Sequence, residues 1–313
     1  MVKNESVGII LLNWNSYFDT YDCLKSLELI TYSPFHIYIA DNNSNDDSFD
    51  RLKKDYREKK FNLKITFLQT GSNLGFAGGN NVALKLAYQH GHKYFWLLNN
   101  DTVVDREALS ELIKTINKSM DYGVVGSKIL YYDTKKIWFA GGTISKITGS
   151  PNHLGFGEID NGQYNQEQDV DYITGCSLLI RSNILKDVGY MDEDYFLYFE
   201  ETDWNIKIAS KGYRLVYSPN SIVYHKVSSS TGGDKEPAPF IDYYLIRNRY
   251  LITRRNKKYF NTITSFLFLI IVFLKKFIKI IFIYRKNRII RLKYLMYGIL
   301  DGIRKKSGKH PQF

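Results

Sequence analysis

Val7-Gly-Ile-Ile-Leu-Leu12 is an uncharged, apolar run that ends at the polar segment Asn13-Trp-Asn15. A run of this length between polar residues is typical of a strand that is buried on both faces of a sheet. Three more runs share this character, at residues 36–40, 65–68 and 94–98. Stretches with helical spacing of apolar residues separate them, so the first half of the chain predicts alternating strands and helices.

This alternation is the pattern of a parallel, nucleotide-binding sheet. The predicted helices cover residues 21–29, 49–58, 80–90 and 106–117. After residue 120 the alternation stops, and glycines separate shorter extended segments. We therefore expect an α/β fold with a mostly parallel central sheet. We expect a nucleotide-binding half at 1–120, a mixed or antiparallel half of the same domain at 121–256, and a helical tail at 257–313.

Charge is divided unevenly along the 313 residues. The chain carries 43 Lys and Arg against 32 Asp and Glu, for a net charge of +11. After residue 242 there are 18 basic residues and a single acid, Asp301, so this part carries +17 and the rest of the chain −6. An acidic body with a basic tail disfavours a uniformly basic nucleic-acid-binding domain, and we expect no nucleic acid partner.

The basic tail contains an uncharged run at residues 259–274. This run is shorter than the roughly 20 apolar residues that a spanning helix needs. On one continuous helix, Lys275, Lys279, Lys286 and Lys293 would fall within about 40° of one another. The pattern favours an amphipathic helix on an anionic membrane surface, with a helical pair packed on the body, a dimer contact or a spanning helix at 259–284 as alternatives.

Only two cysteines are present, Cys23 and Cys176, which implies no disulfide framework and a reducing compartment. The first apolar run is too short for a signal peptide, and no small-residue cleavage site follows it. We expect a cytoplasmic protein that associates peripherally with the inner face of the cell membrane. The oligomeric state is left open, with a homodimer among the alternatives.

Three of the predicted strands end in polar segments: Asn13-Trp-Asn15, Asp41-Asn-Asn-Ser44 and Asn99-Asn-Asp101. Each alone is an ordinary polar turn, but ligands of open α/β sheets bind at the carboxyl ends of the strands, where all three can converge. The Gly-rich segment at 71–81 leads into a helix and suits a diphosphate. The chain has no G-x-G-x-x-G motif after the first strand and no Walker A loop, which disfavours a dinucleotide or P-loop site.

A second candidate cluster is Phe196-Leu-Tyr-Phe-Glu-Glu-Thr-Asp-Trp204, with three carboxylates among four aromatic residues. On a helix, Glu200 and Asp203 share a face and Glu201 points elsewhere. Carboxyl groups beside bulky apolar groups have raised pKa values, which suits a general base, although the helix dipole alone explains acids at a helix start. His225 follows another apolar run, and most lone histidines are structural. With Asp101 it would form an oxygen and nitrogen donor set that Mn²⁺ or Mg²⁺ accepts.

In chain order, these segments resemble family-2 glycosyltransferases of the GT-A fold, most of all the rhamnosyltransferase-like branch. The resemblance covers roughly residues 5–250 and rests on seven elements. They are Leu11-Leu-Asn-Trp-Asn15, Ala40-Asp-Asn-Asn-Ser44, Asn73-Leu-Gly-Phe-Ala-Gly-Gly-Asn80, Leu97-Leu-Asn-Asn-Asp101, Ile173-Thr-Gly-Cys176, Phe199-Glu-Glu-Thr-Asp-Trp204 and His225.

The resemblance implies an inverting, metal-dependent glycosyltransferase that acts in bacterial surface polysaccharide synthesis. It would move one sugar, rhamnose among the alternatives, from a UDP- or dTDP-sugar to a hydroxyl of a glycan or polyprenyl-linked acceptor. The fold would be that of nucleotide-diphospho-sugar transferases, followed by a membrane-associating helical extension. No Gln-x-x-Arg-Trp motif occurs, as in enzymes that add a single sugar.

The resemblance also implies a role for each matching residue. Asp41 would accept a hydrogen bond from N3–H of uracil or thymine, in a pocket shaped by Asn13, Asn43, Asn73, Gly75, Phe76 and Asn80. Asp101, in the segment Asn99-Asn100-Asp101, would hold Mn²⁺ or Mg²⁺ with His225 as second ligand. Glu201 matches the catalytic base, with Glu200 as the alternative. Glu200 and Asp203 would orient hydroxyl groups, and Trp204 and Gly175 would contact the acceptor.

The chain departs from the family at Asn99 and Asn100, which stand where acids are common in the Asp-x-Asp motif. This departure leaves Asp101 as the only charge of the motif and implies weaker metal binding or a greater reliance on His225.

Two other functions fit part of the pattern. A sugar-nucleotide nucleotidyltransferase would typically carry a Gly-rich loop with a basic residue after the first strand, where this chain has Asn13-Trp-Asn-Ser-Tyr17. A non-enzymatic protein that binds membrane surfaces would use the basic tail, but it would not require Asp101, Glu201 and His225 in one crevice.

Overall fold

The computed structural model describes residues 5–227, 238–284 and 286–312. The first half alternates as expected. Its elements are β1 (Val7–Asn13), α1 (Tyr17–Leu27), β2 (Phe35–Asp41), α2 (Ser48–Arg57), β3 (Ile65–Gln69), α3 (Gly75–Gln89), β4 (Tyr94–Asn99), β5 (Thr102–Val104) and α4 (Ala108–Ile116). One expectation needs correction, because α3 begins at Gly75 and not near residue 80. Most of the Gly-rich segment is therefore helical.

The second half is built mainly from strands. Its elements are β6 (Tyr122–Tyr131), β7 (Ile137–Phe139), β8 (Gly142–Ile144), β9 (Pro151–His153), β10 (Gln168–Asp169), β11 (Ser177–Arg181), α5 (Ile184–Val188), α6 (Glu200–Ser210) and β12 (Arg214–His225). Three helices follow, α7 (Phe240–Arg255), α8 (Thr262–Phe282) and α9 (Arg288–Ile303).

One sheet runs through both halves, with its main strands in the order β10-β12-β6-β11-β4-β1-β2-β3. The strands β4, β1, β2 and β3 are parallel to one another, which confirms the parallel core. β11 is antiparallel to both β4 and β6, and β12 is parallel to β6. β11 therefore joins the two halves into one sheet, and the carboxyl ends of β1, β2 and β4 lie at one edge.

The apolar runs are buried on both faces, as a parallel sheet covered by helices requires. Ile9, Ile10 and Leu11 of β1 are fully buried, and so are Ile37 and Ile39 of β2. Burial of each such side chain stabilises the fold by about 1.5–3 kcal/mol. The strands thus form a rigid core from which the polar strand ends project.

The C-terminal helices pack on one another and on the body. Asp242 of α7 accepts hydrogen bonds from Lys276 Nζ of α8 at 2.7 Å and from Arg291 Nη1 of α9 at 2.9 Å. This ion trio ties the three helices together. The single continuous helix that aligned four lysines is wrong, because α8 ends at Phe282 and α9 begins at Arg288 after Asn287, whose φ is +57°.

α8 leaves an apolar face uncovered, which we call the α8 stripe. Its exposed residues are Ile263, Phe266, Leu267, Ile270, Ile271, Leu274, Phe277, Ile278 and Phe282. They recur at three- and four-residue intervals and therefore lie on one side of the helix. Within the described ranges, no helix combines the length and the apolar character needed to cross a bilayer.

Candidate active site

A cavity of about 560 Å³ opens at the carboxyl ends of β1, β2 and β4. The first turns of α3 and α6 also contribute to its wall. Ten of the sequence-predicted site residues line it: Asn73, Gly75, Phe76, Asn99, Asn100, Asp101, Gly175, Glu200, Glu201 and His225. Six others lie outside the lining: Asn13, Asp41, Asn43, Asn80, Asp203 and Trp204.

Asp101 and His225 meet in this cavity although 124 residues separate them. β5 and β12 pair with Thr102 opposite His225, which brings the imidazole next to the end of β4. Asp101 Oδ2 lies 3.2 Å from His225 Nε2. The Trp138 ring meets the imidazole edge-on, with 4.6 Å between the ring centroids, and fixes its plane.

This pair has the chemistry of a partial metal site. A separation of 3.2 Å lets both atoms contact one cation, and oxygen and nitrogen donors suit Mn²⁺. Within the described residues, no three His, Cys, Asp or Glu side chains form a metal-binding group. A cation held here would therefore need further oxygen ligands from a diphosphate or from water.

The protonation state of His225 affects whether the Asp101–His225 pair can bind a cation. Burial lowers the pKa of the imidazole, but the Cys176 sulfur and the Asp101 carboxylate outweigh it and raise the pKa well above its usual value. In its protonated form the imidazole would donate from Nε2 to the Asp101 carboxylate. A metal ligand must be the neutral form, so a cation and a proton compete for this nitrogen.

A strained turn positions the two glutamates. Phe196, Tyr198 and Phe199 have φ values of +62°, +69° and +74°, a region that costs non-glycine residues energy, and α6 begins immediately after them at Glu200. Backbone strain of this kind persists only where the surroundings hold it in place.

Two contacts hold the turn. Asn248 Nδ2 of α7 lies within hydrogen-bonding distance of the carbonyl oxygens of Tyr195, Leu197 and Tyr198, at 2.9, 2.7 and 2.9 Å. On the other side, Phe76 N–H of α3 donates to the Phe196 carbonyl at 2.7 Å. Only glycine fits at position 75, because its φ is +71° and a Cβ would lie 2.0 Å from the Phe196 oxygen.

Glu200 and Glu201 are the most weakly compensated carboxyl groups of the cavity. Glu200 is 3 % exposed, and its Oε2 accepts no hydrogen bond from the described residues. Burial, reinforced by the charge of Glu201, raises the pKa of Glu200 well above its usual value. Burial also raises the pKa of Glu201, which is only half-buried. The pair therefore takes up a proton more readily than solvent-exposed carboxyl groups do.

Asp41 is the opposite case, because it is fully buried and its acceptor positions are filled. Asn13 Nδ2 and Ser44 Oγ donate to Oδ1 at 2.8 and 2.6 Å. Ser44 N–H and Gln69 Nε2 donate to Oδ2 at 2.9 and 3.0 Å. A carboxylate offers about four lone-pair sites, so Asp41 has none to spare for a nucleobase while Gln69 is bound.

Two roles suggested for the glutamate segment need correction. The Trp204 ring is fully buried and donates through Nε1 to the Gly189 carbonyl at 2.9 Å, so it has no exposed face for an acceptor. Asp203 accepts from Asn256 Nδ2 at 2.7 Å and pairs with Lys207 at 3.0 Å. It ties α6 to the end of α7 and does not reach substrate hydroxyl groups in the cavity.

The three asparagines outside the lining are also accounted for. Asn80 donates back to the Phe76 carbonyl within α3 at 2.9 Å. Asn43 is exposed with φ +59° in the turn after β2, and Asn13 supports Asp41 from beneath. None of the three lines the cavity in this structure.

Sequence reasoning missed several residues of the cavity wall, among them Asn42 and Lys309. Asn42 lines it and holds the start of α3, with its Oδ1 accepting from Leu74 N–H at 2.9 Å and its Nδ2 donating to the Gly75 carbonyl at 3.1 Å. Its place inside the Asp41-Asn-Asn-Ser44 segment was the available signal. Lys309 lines the rim, and no local pattern indicated that the chain after α9 returns to the cavity.

That return is fixed by polar contacts. Gly308 N–H donates to the Asp194 carbonyl at 2.6 Å, and Ser307 Oγ donates to the Asp194 carboxylate at 2.9 Å. The buried Arg247 of α7 bridges the two segments, with Nη1 donating to Gly308 O at 2.5 Å and Nη2 to Tyr195 O at 2.7 Å. The tail is thus part of the wall of the site.

Comparison with solved structures identifies the architecture. A mannosyltransferase from Pyrobaculum calidifontis, solved with GDP-Man and Mn²⁺, superposes with a TM-score of 0.60 at 12 % identity, over 97 % of this chain and 89 % of that one. At this identity the likeness shows the fold alone. The fold is a GT-A-like α/β fold.

Sequence comparison identifies the family. The low-salt glycan biosynthesis hexosyltransferase Agl10 of Haloferax volcanii is 20 % identical over 310 residues, which are 97 % of this chain and 93 % of the relative. An N-acetylglucosaminyl-diphospho-decaprenol L-rhamnosyltransferase of Mycobacterium tuberculosis is 27 % identical over 230 residues, 67 % of this chain and 73 % of the relative. The model of glycosyl transferase family 2 matches residues 8–189. The chain therefore belongs to glycosyltransferase family 2 and is a glycosyltransferase.

Proposed function

We propose that this glycosyltransferase moves a single sugar from a UDP- or dTDP-sugar to a hydroxyl of a glycan or polyprenyl-linked acceptor, with inversion at the anomeric carbon. Rhamnose is the sugar we favour, because a relative that spans much of the chain is named as a rhamnosyltransferase. The observation that carries the proposal is the meeting of the Asp101–His225 pair and the Glu200–Glu201 pair in one cavity.

Glu201 is the base that we assign. It lines the cavity and is half-buried, whereas Glu200 is 3 % exposed, so Glu201 is better placed to reach an acceptor. Its carboxylate takes the proton of the acceptor hydroxyl as that oxygen bonds to C1 of the sugar. The bond from C1 to the diphosphate oxygen breaks, and the nucleoside diphosphate leaves with the electron pair. Glu200, adjacent and with a raised pKa, supports the protonated state of the pair.

Asp101 and His225 would hold Mn²⁺ or Mg²⁺ against the donor diphosphate. The bound cation would offset the negative charge of the leaving group. The two asparagines before Asp101 supply no charge, so we expect weak metal binding that depends on the donor. Because His225 must lose its proton to bind metal, we expect affinity to rise with pH.

Donor recognition needs one local change. The exposed Gln69 donates through Nε2 to Asp41 Oδ2. We propose that N3–H of the pyrimidine base takes the place of this Gln69 donor. This exchange leaves Asp41 with the same number of hydrogen bonds in the free and bound states.

The test of the proposed transfer is a panel of UDP-, dTDP- and GDP-sugars assayed with a lipid-diphosphate-linked sugar acceptor. We expect product from a UDP- or dTDP-sugar, loss of activity in EDTA and recovery with Mn²⁺. Turnover that EDTA leaves intact would remove Asp101 and His225 from metal binding, and exclusive use of GDP-sugars would overturn the donor assignment. Formation of a sugar nucleotide from a nucleoside triphosphate and a sugar phosphate would favour a nucleotidyltransferase.

We also propose that the α8 stripe lies on the inner surface of the cell membrane. Nine large apolar side chains are exposed on it, and Lys275 beside the stripe is exposed as well. This combination is typical of helices that lie in the interface of an anionic bilayer.

The test is sedimentation with phospholipid vesicles. The Ile270→Ser, Leu274→Ser variant should bind at least about tenfold more weakly, because two buried apolar side chains are lost from the contact. A matched control is Phe18→Ser, which removes a side chain that is 71 % exposed on α1. Equal binding by the stripe variant and the wild type would overturn the membrane contact.

A further inference from the structure

A second cavity, of about 190 Å³, lies between α7 and α8 and shares no lining residue with the candidate active site. We call it the α7–α8 pocket. Its wall consists of Arg249, Tyr250, Thr253, Arg254 and Lys257 on one side and Thr262, Ser265, Phe266 and Leu269 on the other. Three of these nine residues are cations and none is an acid.

Among the described residues, the three cations have no carboxylate partner. The described residues form no salt bridge to Arg249, Arg254 or Lys257, whereas the neighbouring Arg255 pairs with Asp192 at 2.7 Å. Arg249 and Arg254 are partly buried, whereas Lys257 is exposed at the edge of the pocket. A positive charge that is partly removed from water without a counterion is unfavourable. An anion in the pocket would relieve that cost.

Arg249 is the most constrained of the three. Its Nη1 donates to Ser150 Oγ at 2.8 Å, and its guanidinium lies 5.5 Å from the centroid of the Phe199 ring. Burial lowers the pKa of Arg249 to about 10, as expected for a cation without a neighbouring negative charge. The side chain is therefore held in place while its charge lacks compensation.

The pocket adjoins an apolar surface. Phe266 lines the pocket and also belongs to the α8 stripe, where it is 45 % exposed. Leu269 forms part of the same wall. A single ligand can therefore place an anionic group in the pocket and an adjoining apolar group against the α8 stripe.

We propose that the α7–α8 pocket binds the phosphate of an anionic phospholipid headgroup whose acyl chains lie along the α8 stripe. The positive charge matches the phosphate, and the continuity with the stripe favours a lipid over free phosphate. The proposal rests on the membrane contact proposed above and is independent of the sugar transferred.

The experiment compares binding to vesicles of phosphatidylcholine alone and with added phosphatidylglycerol. Wild-type protein should bind the anionic vesicles more tightly. Each cation near an anionic surface is worth roughly fivefold in binding, so Arg254→Gln, Lys257→Gln should weaken anionic binding by roughly 25-fold. Binding to phosphatidylcholine alone and transfer to a soluble acceptor should stay unchanged in this variant.

Matched controls separate the pocket from diffuse electrostatics. Lys53→Gln, Lys54→Gln removes the same charge from α2, and Lys258→Gln removes a cation next to Lys257 that does not line the pocket. An equal loss in these controls, or no loss in the pocket variant, would overturn the proposal. Competition by soluble glycerol phosphate at the concentration of accessible lipid would show a free-phosphate site instead.

The outcomes also separate this proposal from the one on which it rests. Wild-type protein that binds both kinds of vesicle equally retains the stripe contact but excludes the headgroup site. Wild-type protein that binds neither kind overturns both.

Discussion

The carboxyl groups of Asp41 and of the Glu200–Glu201 pair have opposite surroundings. Asp41 accepts four hydrogen bonds from three side chains and one backbone N–H. Glu200 has an oxygen without a hydrogen bond from the described residues, and both glutamates have raised pKa values because of burial.

The difference distinguishes a carboxylate with a structural role from carboxyl groups that can act in catalysis. A carboxylate whose lone pairs are all used holds together the donors that surround it and so stabilises the fold. A carboxyl group without such compensation binds a proton readily, which is what base catalysis requires. The strained turn before α6, held by Asn248, is the structural cost of keeping the glutamates in this state.

The largest expected effect comes from Glu201→Gln. Removal of the base should lower the transfer rate by on the order of 100- to 10 000-fold, while the donor still binds. Transfer assays measure the first effect, and donor-induced thermal stabilisation measures the second. Glu58→Gln makes the same substitution at an exposed site and should be silent. Near-normal turnover by Glu201→Gln would move the role of base to Glu200.

A smaller effect is expected from Asp41→Asn. The amide nitrogen would face donors that now point at a carboxylate, so the free energy of unfolding should fall by about 1–3 kcal/mol. Urea denaturation measures this change, with Asp50→Asn as the control because that carboxylate is exposed on α2. Unchanged stability in Asp41→Asn would show that the four hydrogen bonds contribute little.

The smallest effect, and one of opposite sign, is expected from Glu200→Gln. The raised pKa means that the folded state keeps a proton that the unfolded state has already lost. Stability of the wild type should therefore fall as pH rises from the ordinary carboxyl range through the raised pKa.

Glu200→Gln removes a carboxyl group with a raised pKa, so the stability of this variant should depend less on pH. At a pH near the raised pKa of Glu200, the variant should be more stable than the wild type. Urea denaturation across the pH series measures both. A variant that is less stable than the wild type throughout would contradict the comparison with Asp41.

Much of the fold could be predicted from local pattern. The buried runs gave β1 to β4 within one or two residues, because burial on both faces demands an unbroken apolar sequence. The proximity of Asp101 and His225 was also predictable, from the resemblance, although spacing alone could not place residues that distant strands bring together.

Other features depend on contacts between distant parts of the chain. The resemblance implied roles for Asp203 and Trp204 at the site. Their true positions follow from the orientation of α6, which depends on the contact of its preceding turn with Asn248 on α7. The break between α8 and α9 and the return of Gly308 to Asp194 likewise follow from tertiary packing. None of these contacts leaves a signature in a short window of sequence.

α7 carries wall residues of both cavities. Tyr244 lies at the candidate active site and Arg254 at the α7–α8 pocket, ten residues apart on one helix. At 1.5 Å per residue, this spacing is about 15 Å along the helix axis. With a lipid phosphate in the pocket, as proposed above, α7 would connect that phosphate to the wall of the candidate active site over this axial distance. The distance from the lipid to the reacting hydroxyl is then short. We therefore expect the enzyme to prefer acceptors that carry only the first sugars above the lipid, and to use long glycans less well.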